Sequence, residues 1–150
     1  MNQNNKEFSA SERSTRDLFH IFSSTENLSD ELKSFLSEAE EPDVTSYLKR
    51  LLAKYDKNVD DILEKTFISR SYAYQILSGT RNPTDDVVCL LALGIGFDID
   101  ETQTLLKYAK RAPLYPKYKR DAIIINCISN KTGVLECDRI LKENGLKPLT

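Results

Sequence analysis

The strongest constraint on this chain is its punctuation. From residue 43 onward, stretches with apolar residues at helical spacing are separated by residues that start or stop helices. Asp43, Thr45 or Ser46 precedes the stripe Tyr47, Leu48, Leu51, Leu52 and Tyr55. Asn58 precedes Asp60 and Asp61, acids that suit the positive end of a helix. Ser69 opens a third run that Gly79 closes, and Pro83-Thr84-Asp85-Asp86 opens a fourth through Val87, Val88, Leu90, Leu91 and Leu93. Asp100 with Gln103 three residues on reads as a capping box for a fifth, holding Leu105, Leu106 and Ala109. Only five glycines and five prolines occur in 150 residues, too few for the turns of a strand-rich fold. The spacing predicts an all-α protein.

Beyond Pro113 and Pro116 the pattern resumes. "DAIIINCISN" carries enough β-branched residues for a buried strand. No second strand is available to pair with it, and the apolar pattern reaches back to Tyr118, so a helix is predicted. Thr132 is positioned to cap a last helix with Val134, Cys137, Ile140 and Leu141 on one face. In front of the core, Leu18, Ile21 and Phe22 fall at helical spacing, as do Leu28, Leu32, Phe35 and Leu36. The rest of residues 1–26 reads equally well as loose chain. This gives three parts: an acidic, Ser/Thr-rich segment 1–44, a core 45–112 and a C-terminal helical hairpin 113–150.

Charge divides along the same line. The formal net charge of −2 hides −6 on residues 1–44 and +4 on residues 45–150. The acidic front is therefore expected to be attracted to the basic surface behind it and to compete for that surface with any acidic partner. Its Ser and Thr residues make it a candidate kinase target or protein-docking segment.

The second and third predicted helices are separated by about three residues, "FIS". So short a turn crosses two helices steeply, which lets one brace a duplex while the other enters the major groove. Ile62, Ile68, Ala73 and Ile76 fall inward. Arg70, Ser71, Tyr74 and Gln75 are left on the exposed side. Arg70, Ser71 and Gln75 have the donor and acceptor geometry for base edges. Ser69, Tyr74, Ser78 and Arg81 suit phosphates, which fix position. The bland alternative is a solvated polar face.

"SRSYAYQILSGTRNPTDDVVCLLALGI" resembles the core of the phage-repressor-like, Xre-type helix-turn-helix regulators. Ser69, Gln75, Gly79, Arg81 and Pro83 match that pattern over 15 residues. The resemblance spans roughly Thr45 to Ala109, and the tail from Leu114 resembles an extension found in one bacterial subgroup. It implies a five-helix repressor-like core and sequence-specific binding of double-stranded DNA as a transcription regulator. Family members usually act in pairs, and Ala122 to Ile128 is apolar on nearly every side, so the expectation is either a homodimer through 118–144 or burial of both faces within one molecule, between the core and the acidic segment. Two positions depart. The family has a small residue where this chain has Leu63, and Gly where it has Phe67. Either the turn is built differently or DNA binding is relaxed. The alternative function is a non-catalytic protein-interaction adaptor.

Other chemistry finds little support. His20 has no partner at metal-ligand spacing, and "LGIGF" lacks the rest of a phosphate loop. No enzyme activity, metal or cofactor is expected. Cys89, Cys127 and Cys137 form no C-x-x-C pair and read as buried thiols of a cytoplasmic protein. The longest apolar run, Val87–Phe97, is too short to span a membrane.

Overall fold

The computed structural model describes residues 14–24 and 30–150. Among them lie nine α-helices and no strand, as the punctuation predicts. The chain divides into two compact units, Met1–Glu41 and Pro42–Thr150. The expectations for residues 1–13 and 25–29, Leu28 included, lie outside the described residues.

The first unit contains α1 (Thr15–Ser23), capped by Ser14, and α2 (Asp30–Glu38). Leu18, Ile21 and Phe22 share a half-buried face. Phe22 meets Phe35 edge-on, with ring centroids 5.4 Å apart.

The second unit begins where Asp43 caps α3 (Val44–Lys54), accepting from the Thr45 amide at 3.0 Å and the Ser46 hydroxyl at 2.8 Å. Asn58 and Asp61 form a reciprocal capping box on α4 (Val59–Thr66). Ser69 caps α5 (Arg70–Ser78), which ends on left-handed Gly79. Thr84 caps α6 (Asp85–Leu91), which runs into a π-helical turn, Ala92–Gly96. Then come α7 (Ile99–Tyr108), α8 (Lys119–Asn130) and α9 (Val134–Glu143).

Two caps differ from the sequence expectation. The box on α7 joins Asp98 and Glu101, at 2.7 and 3.0 Å, not Asp100 and Gln103. Phe97 is fully buried just before it and sets where the chain turns into the helix. Thr132 does not cap α9. Its amide and that of left-handed Lys131 close α8, donating to the carbonyls of Cys127 and Ile128. That arrangement is a Schellman-type ending, and it leaves Gly133 at the start of α9 with no side-chain cap.

One core joins α3 through α9. Leu48, Ile62, Ile76, Val88 and Leu105 fill its centre, and Ile124, Cys127 and Leu141 bring the C-terminal hairpin into it. The apolar stretch in α8 is thus helical, with Ile124 buried and Ile123 and Ile125 half-buried. All three cysteines are buried free thiols. No helix among the described residues is long and apolar enough to cross a membrane.

Polar ties fix the helices to one another. Arg120 makes a bidentate pair with Asp86, at 2.9 and 3.1 Å, and also donates to the carbonyls of Lys147 and Pro148. Buried Asp138 accepts from the amides of Leu149 and Thr150. The π turn lies so close to the end of α4 that a Cβ on Gly94 would stand 2.5 Å from Thr66 Cγ2 and 2.8 Å from the Lys65 carbonyl oxygen.

Candidate nucleic-acid interface

Helices α4 and α5 are joined by Phe67, Ile68 and Ser69. The turn is held from within. The Thr66 hydroxyl donates to the Ile62 carbonyl at 2.6 Å and accepts from the Ile68 amide at 3.3 Å. Ile68 is buried beneath it. Phe67 takes the left-handed conformation, φ 62° and ψ 16°, and the residue is 56% exposed. The turn is therefore built with the backbone geometry that glycine favours, but on a bulky residue. Such a residue costs about 1–2 kcal/mol there. Leu63, the other departure, is half-buried against the core.

Helix α5 is amphipathic in the sense expected. Ala73 and Ile76 are buried, as is Ile62 on the facing side of α4. Thr45 of α3 ties the end of α5 by donating to the Ile76 carbonyl at 3.3 Å. The opposite face carries Arg70, Ser71 and Tyr74, all exposed, and half-buried Gln75. These residues are spaced to share one helical face. None of the four side chains has a hydrogen-bond partner among the described residues. A row of unspent donors and acceptors on a rigid, internally capped helix can meet the edges of base pairs.

The four residues assigned to phosphates divide. Ser69 uses a lone pair as the cap, accepting from the Tyr72 amide at 3.2 Å, a bond that leaves its hydroxyl proton unspent. Tyr74 is half exposed, with its hydroxyl unengaged among the described residues. Arg81 lies over the Tyr72 ring, 4.7 Å from the centroid. Arg81 is exposed, and its side-chain donors have no hydrogen-bond or ion-pair partner among the described residues. Ser78 differs, because its hydroxyl donates to the Gln75 carbonyl at 3.1 Å and sits 3.0 Å from that of Thr80. A phosphate needs a donor, and this proton is turned back onto the helix end.

Tyr72 was not foreseen in this role. Besides carrying Arg81, its hydroxyl accepts from the Thr84 amide at 3.4 Å, which joins α5 to the cap of α6. The i, i+9 relation between Tyr72 and Arg81 crosses a helix end, so no periodic pattern reports it.

Comparison with protein-family models, with curated proteins and with solved structures gives no match to this chain.

Proposed function

We propose that this protein is a sequence-specific DNA-binding transcription regulator in which α3–α7 act as a repressor-like helix-turn-helix core. The observation that carries the reading is the exposed face of α5. Arg70, Ser71, Tyr74 and Gln75 stand free on a helix whose other side is locked into the core through Ala73 and Ile76. In this reading α5 enters the major groove, Arg70 and Gln75 read guanine and adenine, and Ser69, Tyr74 and Arg81 hold the backbone. Pairing of two copies through 118–144 belongs to the same reading, because one core reads only a half-site.

The test is affinity for a selected duplex and its scrambled counterpart. Arg70→Ala is expected to lose about 1–3 kcal/mol on the selected site only. Arg81→Ala should weaken both duplexes alike. Equal binding of both duplexes by wild type and Arg70→Ala would remove α5 as the reading helix.

A protein-interaction adaptor is the second reading, and one surface favours it. Exposed Phe67 lines a groove with Leu93, Gly94, Val134 and Leu135, and Leu135 is 70% exposed. Such a groove suits an apolar partner side chain better than a phosphate. An adaptor would show no salt-dependent duplex binding.

A further inference from the structure

The basic charge of the second unit is not concentrated on α5. Lys107, Lys110, Arg111, Lys117, Lys119 and Arg120 lie within fourteen residues that contain no acid. They are six of the 17 Lys and Arg in residues 45–150. Without them that region would have an excess of acids. The same stretch exposes two aromatic rings, Tyr115 at 45% and Tyr118 at 65%, stacked edge-on with centroids 5.2 Å apart.

The connection that carries this charge, between α7 and α8, is irregular, yet it is tied down along its length. Asn82 donates to the Ala109 carbonyl at 2.8 Å, and Arg111 Nε donates to the Pro83 carbonyl at 3.1 Å. The Gln103 amide clamps both backbone groups of Leu114, at 2.9 and 2.8 Å, and Leu114 is buried. The Tyr115 amide donates to Asp121 at 2.9 Å. A long connection with this many ties holds the backbone beneath its outward side chains in place, which is the usual condition for a binding loop. Two of the ties run to Asn82 and Pro83, directly after Arg81, so the basic segment adjoins the end of α5.

We infer that residues 107–119 form a second nucleic-acid contact that grips the phosphate backbone of duplex DNA beside the base pairs α5 faces. This rests on the proposed function. Lys110, Lys117 and Lys119 are exposed and have no ion-pair partner among the described residues. Lys107, in the last turn of α7, and Arg111, beyond its end, line a groove with Gln103, Thr104 and Pro113. Arg120 is excluded, because Asp86 already neutralises it. The tyrosine hydroxyls add neutral donors of the kind that phosphates accept. The nearby acids are few: Asp86 is paired with Arg120, Asp121 is engaged by the Tyr115 amide, and Asp85 sits exposed at the start of α6.

The test uses the full chain and a mixed-sequence duplex of about three helical turns, titrated from roughly 50 to 200 mM salt. The variant is Lys110→Ala/Lys117→Ala/Lys119→Ala, with circular dichroism to confirm the fold. Each lost phosphate contact lowers the slope of log affinity against log salt by about 0.9. The triple variant is expected to lower it by about two to three while keeping the wild-type ratio of affinities for selected and scrambled duplexes. An unchanged slope overturns this inference and leaves α5 standing. Loss of binding only to a single strand of the same length also overturns it, and points to base stacking on Tyr115 and Tyr118. Absence of duplex binding by the wild type overturns the proposed function and this inference together, and the other two results do not.

Discussion

Glu101 shows how a single side chain ties two helices together, α7 to the end of α3. It sits on the first turn of α7, 9% exposed, and accepts from Lys54 at 2.7 Å, from the Tyr55 hydroxyl and from the Asp98 amide. Burial opposes its charge. The Asp98 amide, the Lys54 ammonium and the Tyr55 hydroxyl outweigh that and hold the carboxyl down, to about 2 from an ordinary 4.5. Tyr55 is pushed up to about 12, by burial first and then by Glu101. A carboxyl depressed in the folded state stabilises above its unfolded value, and that contribution is lost as pH falls towards the folded value. The Lys54 side chain is 60% exposed, so solvent screens its share. Glu101→Gln is therefore expected to destabilise by about 1–3 kcal/mol at neutral pH. The gap to wild type should narrow between pH 4.5 and about 2, as read by urea unfolding. A gap that is constant across that window would mean that the carboxylate is not carrying the tie.

At the scale of elements, local signals were the legible ones. Caps at Asn58 and Ser69 could be read because a cap needs only its own helix, whereas the structure selects Asp43 from Asp43, Thr45 and Ser46, and Thr84 from the stretch Pro83–Asp86. Asp98 was missed because buried Phe97, a tertiary fact, decides where α7 begins. Thr132 was misplaced because the same residue closes α8 through its amide. Gln103, read as half of a capping box, instead clamps Leu114, eleven residues away. The outward face of α5 followed from helical period alone, whereas the turned-back Ser78 hydroxyl and the Arg81–Tyr72 stack depend on how the helix end closes. The basic connection at 107–119 is only half legible for the same reason. Its charge is visible in the sequence, but its backbone ties to Gln103, Asn82 and Pro83 are not.

The contact of α4 with the π turn gives the element-scale prediction. The close approach at Gly94 includes the Lys65 backbone, which cannot swing away as a flexible side chain would. Gly94→Ala should displace the end of α4, and with it the Phe67 turn, at about 1–3 kcal/mol. The urea midpoint should fall with an unchanged slope. An unaltered midpoint would show that the two elements separate freely.

For the whole molecule, the division at Glu41 separates charge as well as structure. Residues 1–41 carry nine acids against four bases, so a chain beginning at Pro42 has a net charge of +3 where the full chain has −2. None of the described residues before Pro42 is buried, and the buried apolar core of the described residues lies in Leu48–Leu149. The shortened chain also keeps Asp43, the cap of α3. It is therefore expected to melt at the temperature of the full chain. Its affinity for any duplex should be higher, by the sign of the net charge alone. Screening acts over about 10 Å at 0.1 M salt and over longer distances at lower salt. The gain should accordingly be greatest at the lowest ionic strength and shrink steadily as salt is added. Equal affinities of the two chains at every salt concentration would show that the acidic segment exerts no field on bound nucleic acid, and would leave it only the role of a protein-docking or kinase-target segment.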